Sequence, residues 1–177
     1  GAGSLTLDGT TDQTITGAIT NSAGADNNGD IRNSNTSGLV TFLNTIGAAA
    51  TNQGLGDLTL DANTDTVFDA ILNVENVSLG GTVLFHSAVT ADGTFNSADN
   101  NKIIVGQNFV DGDTVINAAG NVTDGDTTIE IRSPNLGDGE TITLIDGGGG
   151  TTDATYTVLD TGLYDFEATI NDTNDKV

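Results

Sequence analysis

Carboxylates are the one chemical group this sequence supplies in quantity. Of 177 residues, 25 are Asp or Glu and four are Lys or Arg, so the formal net charge is −21; there is one His and no Cys. All but four of the acids (Glu75, Glu130, Glu140, Glu167) are Asp. Two chemistries use carboxylates in groups. Glycoside hydrolysis needs a pair roughly 5 to 9.5 Å apart, one of them with a raised pKa. So many Asp residues meet that spacing by chance, and abundance selects no pair. Calcium binding needs oxygen ligands at alternating loop positions. Asp26-Asn27-Asn28-Gly29-Asp30 begins such a loop, but Ile31 stands where an EF-hand requires Gly, and Ser37 where it requires a bidentate Glu. The glycine-rich nonapeptide of calcium β-rolls is also absent, because the Gly147–Gly150 run puts Asp153 out of register. Asp-Gly-Asp at 111–113 and 124–126 could stack carboxylates along one edge of a β structure, where a divalent cation would relieve their repulsion. Asp-Gly is also simply a good turn. The turn reading outweighs calcium, and no residue is assigned to metal, cofactor or catalysis.

Other catalytic signatures are missing. His86 lies in Phe85-His86-Ser87, and no Gly-x-Ser-x-Gly elbow accompanies it. A lone histidine in a strand pattern reads as a packing or surface residue. A pectin-type hydrolase would want Asn-Thr-Asp-Gly and an Asp-Asp pair; here Asn63-Thr64-Asp65 is followed by Thr66, and no Asp-Asp dipeptide occurs. A polysaccharide lyase would need basic groups to stabilise a carbanion on an acidic sugar. The four cations, Arg32, Lys102, Arg132 and Lys176, are scattered through a chain that repels polyuronates. Gly147–Gly150 is not followed by Lys-Ser/Thr or a helical pattern, which removes a phosphate loop.

The same charge balance excludes other partners. Four cations cannot track a phosphate backbone, so nucleic acid is not expected, nor is an anionic membrane surface. Without Cys there is no disulfide framework or thiolate metal site. No apolar run approaches the roughly 20 residues of a membrane-spanning helix, and no secretory leader pattern is visible at Gly1.

The elements that would position any site are short strands. Apolar and β-branched runs occur at 5–7, 14–19, 39–43, 58–60, 66–72, 77–79, 82–89, 102–106, 114–118, 127–132, 141–145, 155–159 and 166–170, separated by Gly, Asn and Asp. Only 39–50 could hold a short helix or single turn; 21–38 is the most loop-like stretch, and 146–153 the most flexible. The sole proline, Pro134, sits in a turn.

The chain also repeats itself. LTLDGTTDQTITGAI at 5–19 returns as LTLDANTDTVFDAI at 58–71. A second formula, Asp-Gly followed by a strand, recurs at 110–116, 123–131 and 137–145. Such units are the signature of a solenoid. The expected architecture is therefore all-β, a right-handed parallel β-helix of about eight or nine coils at roughly 20 residues each. It would be one domain over 1–177, with coil-like repeats strongest at 5–107, Asp-Gly turns over 110–145 and terminal coils over 146–177. Phe42, Phe68, Phe85, Ile104, Ile116, Ile131 and Leu144 would stack inside, and Thr and Asn would decorate the outside. Asp111, Asp124 and Asp138 are spaced too closely for a full three-sided coil. Either the coils narrow there, the turns lie at different corners, or that part is antiparallel. An antiparallel β-sandwich is the alternative fold.

GLVTFLNTIG, TDTVFDAIL and GGTVLFHSAVTADGTF resemble the passenger region of bacterial autotransporter adhesins, in which Gly-x-Val-x-Phe units recur along a parallel β-helix. The stretch 137–177 is similar to the last passenger coils before the membrane-inserted barrel. Passengers are usually longer, so the resemblance implies an excised piece, a processed product or one module of an assembly. It also implies a bacterial cell-surface or extracellular location, a role in adhesion, aggregation or a surface layer, and no catalytic residues. The expected function is a non-enzymatic structural or adhesive protein whose partners are itself or cell-surface glycans or proteins. The alternatives are a self-assembling fibre or surface-layer subunit, whose exposed strand edges would template further strands, and, behind it, a polysaccharide-acting enzyme on the same scaffold.

Overall fold

The computed structural model describes residues 3–21, 27–48, 54–150, 154–159 and 166–169. Its described elements are strands, without a helix. One sheet runs β1 (Ser4–Leu7), β3 (Asp30–Asn33), β5 (Leu55–Leu60), β7 (Leu72–Leu79), β10 (Phe95–Ser97), β12 (Thr114–Thr123), β14 (Thr143–Gly150), with β9 (Val89–Ala91) lying against β7 and β12. The other runs β2 (Gln13–Ile15), β4 (Leu39–Phe42), β6 (Asp65–Phe68), β8 (Thr82–Phe85), β11 (Asn101–Val105), β13 (Thr127–Ile131), β15 (Tyr156–Leu159). Apart from β9 and β10, which follow one another on the first sheet, the chain alternates between the sheets, and the pairings between described strands are parallel throughout. The all-β parallel expectation holds, and the antiparallel sandwich is set aside. A third line of pairing joins Ile19, Ile46, Leu72, Val89, Ile116 and Ile145 in turn. The long strands β7, β12 and β14 round the corner between this line and the first sheet.

Register explains the repeat. Leu5 pairs with Ile31 and Ile31 with Leu58; Ile15 pairs with Phe42 and Phe42 with Phe68; Ile19 bridges Ile46, which bridges Leu72. The LTLD copies thus lie two rungs apart, in register along their whole length. Rung spacing is uneven. Most steps take 26 to 29 residues, while Leu58 to Val77, Val77 to Phe95, Phe68 to Phe85, Phe85 to Val105 and Leu72 to Val89 take only 17 to 20.

Strand alternation selects the core. In β4, β6 and β8 the second and fourth residues are buried and the others face out. Phe42 and Phe68 stack with ring centroids 5.0 Å apart and planes 7° apart, and Phe68 and Phe85 follow at 5.6 Å and 15°. Ile116, Ile131 and Leu144 join this core as expected. Ile104 does not. It pairs with Leu84 and Glu130 on the outward column, and Ile103 and Val105 point inward instead. Nor are Thr and Asn only external. Asn33, Asn35, Thr64, Thr66, Asn73, Asn101 and Thr127 are buried. Asn33 Nδ2 donates to Thr66 Oγ1 at 2.8 Å, and Asn35 Nδ2 donates to the Thr11 carbonyl at 2.8 Å, so these two corner amides are satisfied between rungs, whereas the buried Asn101 Oδ1 has no hydrogen-bond partner among the described residues.

Other local expectations change. The stretch 39–50 opens as strand β4, 21–38 contains β3, and the glycine run at 147–150 continues strand β14; residues 151–153 lie outside the described set. The segment 110–145 is parallel, with its Asp-Gly turns at two different corners. Asp111 and Asp138 both precede strands that start the third line of pairing, and Asp124 lies between β12 and β13. The coils do not narrow there.

Tight stacking fixes glycine at the corners. A Cβ on Gly81 would lie 2.3 Å from the Thr64 carbonyl oxygen, and one on Gly47, whose φ is 67°, would lie 1.9 Å from that of Asn73. Gly47→Ala is expected to lower the unfolding free energy by more than about 2 kcal/mol, since strained backbone adds to the clash. Phe68→Ala, at the centre of the ring stack, is expected to cost about 3–5 kcal/mol. Equilibrium unfolding in urea measures both.

Candidate functional site

Register also builds a polar groove on the outer face of the first sheet. Leu58 and Val77 point inward with no exposure, so the residues on either side of them point out. One outward column runs Asp30, Asp57, Asn76, Thr94, and its neighbour runs Thr6, Arg32, Thr59, Ser78, Asn96, Thr123. Asp57, Thr59, Asn76, Ser78, Thr94 and Asn96 line a shallow cleft of about 250 Å³ across three rungs. Its side chains orient one another. Asn76 Nδ2 donates to Asp57 Oδ1 at 2.8 Å, Thr94 Oγ1 and the Thr94 amide donate to Asn76 Oδ1 at 2.9 and 2.8 Å, and Asn96 Nδ2 lies 3.4 Å from Thr94 Oγ1. The result is a fixed row of amide, hydroxyl and carboxylate groups, with one acid among the six.

Five other Asp residues have structural work. Asp12, Asp30, Asp99, Asp111 and Asp126 each use a side-chain oxygen to accept a backbone N–H of the following rung, from Leu39, Asp57, Asp126, Thr141 and Thr155, at 2.8 to 3.2 Å. Asp30, the described acid of the calcium-like motif, is therefore a latch between rungs, and Asp26 lies outside the described residues. The two Asp-Gly-Asp turns sit at different corners and do not pool their carboxylates. Among the described residues no group of three or more His, Asp or Glu side chains is placed to hold a metal ion.

His86 performs a similar latch. Its Nδ1 accepts the Gln107 amide at 3.2 Å, and its Nε2 lies 3.8 Å from Asp69 Oδ1. Ser87 Oγ is turned to the Asp69 carbonyl, 3.5 Å away, so the three residues do not form a nucleophile–base–acid relay.

The described cations are paired. Arg32 grips Asp61 through Nε and Nη2 at 2.8 to 3.1 Å, and this hydrogen bond raises the Arg32 pKa above its ordinary value. Glu130 is held by Arg132 and by Lys102 Nζ at 2.6 Å; those hydrogen bonds, Arg132 first, lower its pKa. Asp124 is the opposite case. Burial raises its pKa, although Tyr156 Oη donates to Oδ2 and Ser97 Oγ lies 3.5 Å from Oδ1. The groove, the latches and the Asp124 site all escape sequence reading, because their members are a full rung apart in the chain. A carboxylate or amide 27 to 30 residues before a turn N–H was the available signal.

No family model, no curated protein and no solved structure matches this chain. No described helix is long and apolar enough to cross a membrane.

The two perturbed carboxylates give opposite pH signatures. A raised native pKa means that Asp124 stabilises fully below the ordinary Asp value of about 3.9, and that this is lost as pH rises through the native value. A lowered one means that Glu130 stabilises above the ordinary Glu value of about 4.3, and that this is lost as pH falls through the native value. Asp124→Asn is therefore expected to raise the melting temperature at pH 7, with the gain vanishing below about pH 4. Glu130→Gln is expected to lower it at pH 7, with the loss shrinking in acid. Calorimetric melts from pH 3 to 8 separate the two.

Proposed function

We propose that this chain is a right-handed parallel β-solenoid that serves, without catalysis, as a structural and adhesive protein on a bacterial surface or in the extracellular space, and that its groove on the first sheet binds a glycan. The observation that carries the reading is the row Asp57, Asn76, Thr94 beside Thr59, Ser78, Asn96. Hydroxyl and amide groups at strand spacing, already oriented by mutual hydrogen bonds, suit the donors and acceptors of a sugar chain, and preorganisation lowers the ordering cost of binding. The surrounding acidity favours neutral or amino-bearing sugars over polyuronates. Each pass through the three lines of pairing is read as one coil, longer than the 20 residues the repeats imply because corners carry extra turns. The autotransporter-like units at 38–46 and 81–95 support an exported origin.

Binding to an immobilised glycan panel tests this. Retention of neutral or amino-bearing glycans is expected, with Asn96→Ala and Thr59→Ala each weakening it about tenfold, as one or two hydrogen bonds would, and leaving the melting temperature unchanged. Failure to retain any glycan, or retention indifferent to both substitutions, rejects the groove reading. Turnover of a polysaccharide rejects the non-catalytic one.

A further inference from the structure

The polar row of the groove continues past the three rungs of the cleft. On one side its two columns run on through Asp30 and Arg32 to Ser4 and Thr6. On the other, Thr123 pairs with Asn96, and Asn121 extends the column of Thr94. These six added residues are all exposed. The double row therefore crosses six rungs, a length of about 24 Å at strand spacing. Across the strands it is only two groups wide. The next outward position holds Asp61, which Arg32 grips, and then Gly80 and Ala98, which bring no polar side chain. On the opposite flank Leu55 and Val74 are buried at the corner. A ligand that uses many of these groups has to run along the stack.

We infer, on the reading that the groove binds a glycan, that the ligand is an extended β-1,4-linked sugar chain laid along the stack, one sugar to a rung. A pyranose ring in such a chain advances by about one strand spacing, so successive sugars meet the same two columns without losing register. An α-1,4-linked chain coils away from a straight row. Among the described residues the two columns contain no aromatic ring, so no single sugar is gripped by stacking and affinity accumulates over rungs. The charge pattern fits a neutral or amino sugar. Arg32 is neutralised by Asp61, which leaves Asp30 and Asp57, neighbours in one column, to attract an amine and repel a uronate.

Isothermal titration of the whole chain with β-1,4-linked glucose and glucosamine oligomers of two to six sugars tests this, with α-1,4-linked glucose oligomers as the coiled control. In at least one β-1,4 series affinity should rise about three- to tenfold per added sugar through five sugars, as one hydrogen bond or so per rung implies, while the α-1,4 series stays flat. Asn121→Ala, outside the cleft and at an exposed position, should weaken the six-sugar chain about threefold or more, leave the three-sugar chain unchanged and keep the melting temperature. Affinity that stops rising at three sugars, an α-1,4 series that rises as steeply, or a six-sugar chain indifferent to Asn121→Ala overturns the inference and leaves the groove reading standing. So does failure of every β-1,4 oligomer to bind while other glycans on the panel are retained. A panel that retains nothing removes the groove reading, and this inference with it.

Discussion

Each residue of the paired strands has to tolerate its counterpart one strand spacing away. Parallel pairing in register places like positions about 4.8 Å apart along the stack, and that constraint sorts the amino acids. Aromatic rings survive it by lying flat on one another, as Phe42, Phe68 and Phe85 do. Branched aliphatics fill the remaining inward columns. Glycine is forced where two corners touch, as at Gly81 over Thr64. Acids are the hardest case, because stacked carboxylates repel. Here the conflict is resolved by the backbone: Asp30 lies one rung below Asp57 and accepts its amide, so one N–H both offsets the repulsion and ties the rungs together. The unusual share of Asp over Glu fits this use, since the shorter side chain reaches a neighbouring main chain without bridging to solvent.

The architecture was legible wherever residues repeat at a whole number of rungs. The LTLD pair gives the columns of Leu5, Ile15 and Ile19 directly, and the parallel solenoid pattern follows from it. What escaped did so for local reasons. β3 and β10 contain a single large apolar residue each, Ile31 and Phe95, too little for a periodic signal. Ile103, Ile104 and Val105 are consecutive and apolar, so alternation could not say which one faces out. Rung length was hidden because the turns, not the strands, vary. The buried Asn33 and Asn35 were unreadable for a further reason: their partners Thr66 and Thr11 are brought near only by stacking.

The groove shows the same limit for function. Asp57, Asn76 and Thr94 share no motif, and no two of them are closer than 18 residues in the chain. Only the two short rungs between residues 57 and 96 bring them into a row, and the shortness itself matters. With fewer residues at the corners, less chain stands beside the sheet there.

The repeating unit of this chain is two rungs, not one. Leu5 and Leu58 occupy the same column with Ile31 between them, and the intervening rung, DIRN against LTLD, has a different polar complement. A gene segment encoding such a pair could be copied in tandem and every inserted interface would already be a native one. Growth by duplication would lengthen the molecule in steps of about 10 Å, so descent itself would act as a ruler, setting the length of the stack without requiring any new contact to evolve.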